Sequence, residues 1–378
     1  MKPFSLLIKP ASADCNLRCA YCFYAGKQDL YPGSRQHRMS DHVLRELLKG
    51  YLGTDQPVYS LVWQGGEPTL MGTAFFEKVI EYEKQFAPRG SRLSNSLQTN
   101  ATRISRDLAA LLGRYRFLAG CSLDGPPEVH DRYRLDRRGR GTQQRVLQGI
   151  ARLQRHRVPL SILVLVTRAN VHRPRDLYRY LTGQGFDSLQ FIPCVEFDAR
   201  GSPRSFSITG EEWGRFLSAV FEQWYPRDCG RITVRLFESV LAKLLEGSTA
   251  DCAFAQRCDQ YFVVEYNGDI YPCDFFVEPE YRIGNILDMS WEEACSSPSY
   301  QTFAGLKQQR HAACGHCPYA RLCLGDCLKY RMFPEHDPRR LSWLCSGWQL
   351  FYGQTLECFT RLADQLRSPG AGHRFQAF

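Results

Sequence analysis

The sequence predicts an α/β fold, with a parallel sheet built from alternating strands and helices and a smaller cysteine-rich region after it. Three observations predict this. Short apolar runs alternate six times with amphipathic stretches before residue 193. The 378 residues are 44% hydrophobic, enough for a sizeable core. Beyond Gly247 the texture changes to short strands and turns, and ten of the sixteen cysteines lie there.

The elements follow in order. Ser5-Leu6-Leu7-Ile8 reads as a short strand. Ser40 caps a helix through Leu52 that carries Val43, Leu44, Leu47 and Leu48 on one face. Residues 58–63 form a buried strand ending in Gln64-Gly65-Gly66-Glu67-Pro68, and Thr73 opens an amphipathic helix through Phe86. A strand over 93–98 ends in Thr99-Asn100, and Ser105 caps a helix to about Leu112. The strand at 117–123 runs into Asp124-Gly125-Pro126. A helix over about 143–156, a strand over 160–166, a helix over 175–181 and a strand over 189–193 complete six units. Such repetition implies parallel strands with right-handed crossovers, two units short of a closed eight-fold barrel.

Thr209-Gly210-Glu211-Glu212 is a capping box opening a helix to about Trp224, and 234–245 is a further apolar helix. The alternation stops there, which places a boundary near 235–250. A hairpin turning on Asn267-Gly268 joins 261–265 to 270–271. Ser290-Trp291-Glu292-Glu293 is a second capping box, and a closing helix covers about 348–366.

Sixteen cysteines in a chain of this size point to metal or redox work rather than to a disulfide scaffold. No signal-peptide pattern and no membrane-length apolar run are present, so a soluble cytoplasmic protein is expected, with no membrane partner. The net charge is +9. Arg132, Arg134, Arg137, Arg138 and Arg140 form a basic stretch, but no aromatic stacking pattern accompanies it. A solvated loop is expected there rather than a nucleic-acid patch.

Cys15-x3-Cys19-x2-Cys22 directs three thiols toward one small volume just after the first strand. Thiolates select soft metals and iron–sulfur clusters, and three ligands leave the open position that a catalytic centre needs. A structural zinc loop with a distant fourth ligand is the alternative. Farther on, Cys258, Gly268 and Cys273 precede Cys314-x2-Cys317-x5-Cys323-x3-Cys327 and Cys345, with Cys252 as an eighth thiol. Eight thiols suffice for two fully ligated four-iron clusters, or for two zinc knuckles. Cys121, Cys194, Cys229, Cys295 and Cys358 remain and read as small buried apolar residues.

Gly65-Gly66 lets backbone approach a ligand, and its carbonyls can accept from an ammonium group. An ordinary tight turn would also explain it. Arg134 could form a bidentate pair with a carboxylate. Asp274 follows Cys273 directly, where repulsion from an anionic cluster and desolvation would suit it to act as a base. Asp124 and Glu67 are rival carboxylates that read as structural. No spaced ligand pair of histidines occurs, and His37, His42, His130 and His311 read as surface residues.

Cys15-x3-Cys19-x2-Cys22 with the aromatic Tyr21 resembles the signature of radical S-adenosylmethionine (SAM) enzymes, and the later cysteine spacing resembles their SPASM extension. From Leu6-Leu7-Ile8-Lys9-Pro10 to about Phe359 the chain is similar to the anaerobic sulfatase-maturating enzymes. The resemblance implies a partial (β/α)6 TIM-like barrel over 1–235, a linker helix region at 236–250 and a SPASM domain over 251–378. It implies three [4Fe–4S] clusters: one on Cys15, Cys19 and Cys22, one on Cys252, Cys258, Cys273 and Cys327, and one on Cys314, Cys317, Cys323 and Cys345. SAM would occupy the open iron of the first, with Tyr21, Gly66, Ser122, Arg134 and Val195 around it.

The implied reaction removes a hydrogen atom from Cβ of a Cys or Ser in a sulfatase, with Asp274 as proton acceptor, and ends in Cα-formylglycine. The implied partners are an unfolded Cys/Ser-x-Pro/Ala-x-Arg segment and a low-potential donor such as ferredoxin or flavodoxin. Another SPASM peptide modifier, such as a thioether-forming maturase, would share every cysteine.

Overall fold

The computed structural model describes residues 2–247 and 251–367; residues 248–250 of the expected linker and 368–378 of the expected C-terminal domain lie outside the described residues. In chain order the elements begin with β1 (Ser5–Lys9), α1 (Asp41–Leu52), β2 (Tyr59–Trp63), α2 (Thr73–Phe86), β3 (Leu93–Thr99), α3 (Arg106–Arg114) and β4 (Leu118–Ser122). Then come α4 (Pro127–His130), α5 (Gln143–Arg155), β5 (Leu160–Val166), α6 (Pro174–Gly183), β6 (Ser188–Pro193) and α7 (Gly210–Trp224). The C-terminal part holds β7 (Thr233–Val234), α8 (Arg235–Glu246), β8 (Tyr261–Glu265), β9 (Asp269–Tyr271) and β10 (Gly284–Asn285). It closes with α9 (Trp291–Ser296), α10 (Pro298–Leu306), α11 (Ala320–Cys323), α12 (Lys329–Met332) and α13 (Cys345–Arg367). The expected α/β class with a parallel-strand sheet is the one observed.

The chain divides into two compact units. The first comprises Met1–Ser122, His130–Leu160 and Cys258–Gly305. Its strands run in the order β10-β9-β8-β1-β2-β3-β4. β1 to β4 are parallel, as the alternation of strand and helix demands. β8 is not foreseen beside them, yet it pairs in parallel with β1, from Ser5↔Tyr261 to Lys9↔Glu265. The hairpin strands β9 and β10 then extend the sheet in antiparallel fashion. Leu6, Ile8, Leu61, Trp63, Leu97 and Phe262 are fully buried. On α1, six side chains from Val43 to Leu52 face inward, each contributing about 1.5–3 kcal/mol on burial. Phe4 meets the rings of Tyr51, Phe262 and Trp291, which joins the N-terminal strand to the C-terminal segment.

Glu83 on α2 is an unusual member of this core. It accepts a 2.7 Å hydrogen bond from Asn95 Nδ2, whose Oδ1 accepts from Trp63 Nε1 at 2.8 Å. Burial pushes the Glu83 carboxyl up to about 7. A carboxyl raised on folding favours the native state while protonated and loses that benefit as pH rises from its unfolded value through its folded one. Glu83→Gln is therefore expected to melt at a higher temperature than the native protein at about pH 8. The difference should shrink toward zero as pH falls to the ordinary carboxyl range. Anaerobic thermal melts across that range check it.

The second unit comprises Leu123–Val129, Ser161–Arg257 and Leu306–Phe378. β5, β6 and β7 are parallel neighbours. The Thr209 capping box has both arms in place: the Thr209 side chain accepts from the Glu212 amide, and the Glu212 carboxylate accepts from the Thr209 amide. α7 and α13 pack closely where Gly210, Gly214 and Gly347 meet, and a Cβ on Gly347 would overlap the Gly210 carbonyl. Phe221, Trp224, Phe237, Phe351 and Phe359 build an aromatic cluster beside that contact.

Two histidines expected at the surface are buried instead. His130 is 0% exposed, with Nε2 3.0 Å from Thr142 Oγ1. His37 is 3% exposed, between the Asp14 carboxylate and the Tyr31 carbonyl. Tertiary partners decide both, and a lone His in sequence carries no sign of them. His42 and His311 are exposed as expected. Among the described residues no helix is long and apolar enough to cross a membrane.

Candidate active site

The site starts where β1 ends. After Lys9 the chain turns tightly, with the Ser12 and Asp14 amides donating back to the Lys9 and Ala11 carbonyls. The turn after β2 is laid against this one. The amides of Gln64, Gly66 and Glu67 donate to the carbonyls of Ile8, Ser12 and Asp14 at 2.9, 2.7 and 2.8 Å. Gly65 sits at φ +124°, and a Cβ on Gly66 would overlap the Asp14 carbonyl, so both positions require glycine. Glu67 is fully buried and accepts from the Thr69 amide and hydroxyl, the Thr99 hydroxyl and the Asn100 amide. Burial raises its carboxyl above the usual range, against those four donors. It therefore ties the Gly-Gly turn to the end of β3, the structural role expected of it. Asp124 is structural too, accepting from the Leu165 amide in the second unit.

Cys15, Cys19 and Cys22 follow the first turn, and the charges of the latter two act on the Cys15 thiol. Burial, with Glu67 next in weight, pushes that thiol up to about 12. The loop is held from one side by residues 133–137. The Arg18 and Ala20 amides donate to the Leu135 and Tyr133 carbonyls. Arg137 donates through Nε and Nη2 to the Cys15 carbonyl at 3.1 and 2.6 Å. Arg140 and Arg145 pair with Asp136, whose carboxyl is held at about 2, first by the Arg140 amide. The basic stretch expected to be a solvated loop is thus exposed at Arg137 and Arg140, yet it clamps the cysteine loop.

Tyr21 is buried, with the Tyr133 ring 6.0 Å away and the Arg134 guanidinium 5.4 Å from its ring centroid. Ser122 is buried at the end of β4. Tyr21, Gly66, Ser122 and Arg134 all belong to the first unit, and Val195, buried just past β6, to the second.

Asp274 lies in the first unit, where β8 and β9 bring it back toward β1. One of its oxygens forms an ion pair with Lys9 Nζ, and the other accepts from Gln64 Nε2 at 2.8 Å. It therefore stands at the same strand ends as the cysteine loop and the Gly-Gly turn. Lys9 is 1% exposed, and its ammonium lies 3.2 Å from the Tyr24 ring centroid. The Tyr24 hydroxyl donates to Glu265, itself fully buried. Burial pushes both the Tyr24 phenol and the Glu265 carboxyl up. This network of Lys9, Tyr24 and Glu265 is absent from the sequence reading. The available signal was a charge ending each of two apolar strands, Lys9 on β1 and Glu265 on β8, which prove to be register partners.

Cys314, Cys317, Cys323 and Cys345 line one cavity of about 60 Å³ in the second unit, together with Arg331 and Trp348. Four thiols around one cavity are a donor set that fits a soft, multi-iron group. Of the other four, Cys258 and Cys273 lie in the first unit and Cys252 and Cys327 in the second. Among the described residues no group of three or more His, Cys, Asp or Glu is arranged to hold a single metal ion. Of the five remaining cysteines, expected to be buried, Cys121 and Cys194 are, while Cys229, Cys295 and Cys358 are half-buried.

The radical SAM superfamily matches over residues 10–181, and SPASM, an iron–sulfur cluster-binding domain, over 252–318. The cysteine-type anaerobic sulfatase-maturating enzyme of Clostridium perfringens is 34% identical over 97% of this chain and 100% of its own length. The serine-type enzyme of Bacteroides thetaiotaomicron is 33% identical over 93% of this chain and 89% of its own. A solved structure of native anSMEcpe with bound AdoMet and the Cp18Cys peptide aligns with a TM-score of 0.89 at 34% identity, covering 96% of this chain and 99% of that one.

Proposed function

The chain belongs to the anaerobic sulfatase-maturating enzymes, and from that membership we propose that it oxidises a Cys or Ser of an unfolded sulfatase segment to Cα-formylglycine. The observation that carries this reading is the placement of Asp274, paired with Lys9 and Gln64, at the strand ends that also carry the three-cysteine loop. Cys15, Cys19 and Cys22 would hold the first of three four-iron clusters. Cys252, Cys258, Cys273 and Cys327 would hold the second, and Cys314, Cys317, Cys323 and Cys345 the third. This division gives a radical SAM region over 1–235, a linker over 236–250 and a SPASM region over 251–378.

When bound, the first cluster and SAM would supply the radical that removes hydrogen from the substrate Cβ, and the other two clusters would receive the remaining electron. The chain's own residues position and deprotonate. The Gly66 turn offers backbone to the SAM ammonium, and Arg134 suits its carboxylate. Tyr21, Ser122 and Val195 are the further residues that family membership would assign to SAM. Asp274 accepts the thiol or hydroxyl proton of the substrate, held in aim by Gln64 and Lys9. Hydrolysis of a thioaldehyde, or direct formation of an aldehyde from Ser, gives the product. A ferredoxin or flavodoxin in the cytoplasm would supply the low-potential electron, with neither nucleic acid nor membrane taking part.

Anaerobic incubation with SAM, a reductant and a Cys-x-Pro-x-Arg peptide tests the reading. An aldehyde at the Cys, detected by mass and by hydrazine capture, is expected. A thioether cross-link, or an unchanged peptide beside cleaved SAM, would assign the chain to another peptide modification.

A further inference from the structure

The four-thiol cavity of the second unit opens on a cationic face. Cys314, Cys317, Cys323 and Cys345 line it together with His311, Leu341 and Gln349, all three exposed, Leu341 to 43%. Residues 306–325, which carry three of the four thiols, contain no aspartate or glutamate. They do contain Arg310 and Arg321, both exposed, and among the described residues neither guanidinium is paired with a carboxylate. Arg321 lies on α11 beside the cavity-lining Ala320. Arg310 packs on the cavity wall, its Cγ 3.0 Å from where a Cβ on Gly325 would stand. The next three carboxylates along the chain are engaged: Asp326 is buried against the Ser342 hydroxyl, Glu335 pairs with Arg340, and Asp337 pairs with Arg339.

Exposed arginines alone are usually a solvated surface. These frame a donor set that fits an iron–sulfur centre, and an exposed leucine stands among them. A small apolar patch with charged surroundings suits a brief electron-transfer encounter. In the proposed reaction the Cβ hydrogen leaves as an atom and the thiol or hydroxyl hydrogen as a proton, so one electron per substrate is left to be passed on. We propose that this face receives an acidic one-electron carrier protein of the ferredoxin or flavodoxin class, and that the remaining electron leaves the chain here. The inference rests on the reading that Cys314, Cys317, Cys323 and Cys345 hold a four-iron centre. That centre loses one electron, the oxidised carrier gains it, and no bond is made or broken. Opposite charge steers such a carrier to the face, an attraction that weakens as salt rises.

The anaerobic holoenzyme is reduced with dithionite, desalted and mixed in a stopped-flow instrument with oxidised flavodoxin, and formation of the flavin semiquinone is followed. Arg310→Glu with Arg321→Glu should lower the rate constant about tenfold at low salt, within the range that steering supplies, and flatten its fall with salt. Arg155→Glu with Arg179→Glu, an equal change of charge on α5 and α6, should stay within about twofold. A second readout does not depend on the reversed variant keeping its iron. Arg310→Lys with Arg321→Lys keeps the charge and supplies amines, so a carbodiimide should join flavodoxin carboxylates at position 310 or 321, read by peptide mass. Native rates in an Arg310→Glu, Arg321→Glu protein that keeps about twelve irons, or equal losses in both reversed pairs, would overturn the inference. Cross-links formed only at other lysines, or only between two copies of this chain, would overturn it too. Native protein holding about four irons instead of about twelve would defeat the cluster reading itself, and this inference with it.

Discussion

Asp274→Asn is expected to lower formylglycine formation by about 10²- to 10⁴-fold, the range a positioned general base contributes, while SAM is still cleaved. Asparagine is close to aspartate in shape and can still accept from Gln64, but it cannot take the substrate proton. The substitution also leaves the buried Lys9 ammonium without its carboxylate, and breaking one side of a buried pair costs about 3–5 kcal/mol. Iron content and 5′-deoxyadenosine yield therefore accompany the assay. Retained iron and retained SAM cleavage with little aldehyde would identify the base. Aldehyde formation at the native rate would remove Asp274 from the chemistry.

Cys15→Ala is expected to abolish SAM cleavage altogether and, with it, every turnover of peptide. Iron should fall by about four atoms of about twelve, because the eight C-terminal thiols are untouched. The loop around the substitution has its own supports. Arg137 holds the Cys15 backbone carbonyl rather than its side chain, and the Arg18 and Ala20 amides keep their partners at 135 and 133. Normal melting with SAM cleavage lost is therefore the expected pair of results. SAM cleavage that survives Cys15→Ala would show that the reductive centre lies elsewhere.

Much of this architecture is legible in the residues, because its elements announce themselves locally. Ser40 and Ser105 cap their helices, and Thr209 and Ser290 form complete capping boxes. The Asn267-Gly268 turn joins β8 to β9 as its sequence suggests. Pairing between distant segments is not local, and there the sequence is silent. Nothing in Tyr261-Phe262-Val263-Val264-Glu265 says that it lies beside β1, with some 250 residues of chain between them. That pairing is what sets Asp274 against Lys9 and Gln64. His37 and His130 misled for the same reason, since their burial depends on Asp14, Tyr31 and Thr142 rather than on their neighbours in sequence. In the basic stretch, charge pattern shows solvation but not that Arg137 reaches the Cys15 carbonyl. Cysteine spacing was the strongest signal for a soft-metal protein, but it does not say which thiols meet; the set Cys314, Cys317, Cys323 and Cys345, which lines one cavity, came from the family resemblance alone.

The most direct test of the account labels the substrate. A Cys-x-Pro-x-Arg peptide carrying deuterium at Cβ of the cysteine is turned over anaerobically with SAM and reductant, and the recovered 5′-deoxyadenosine is weighed by mass spectrometry. Hydrogen abstraction from Cβ predicts deuterium in the deoxyadenosine, in proportion to the aldehyde formed. Aldehyde accompanied by unlabelled deoxyadenosine, or labelled deoxyadenosine with no aldehyde, would contradict it.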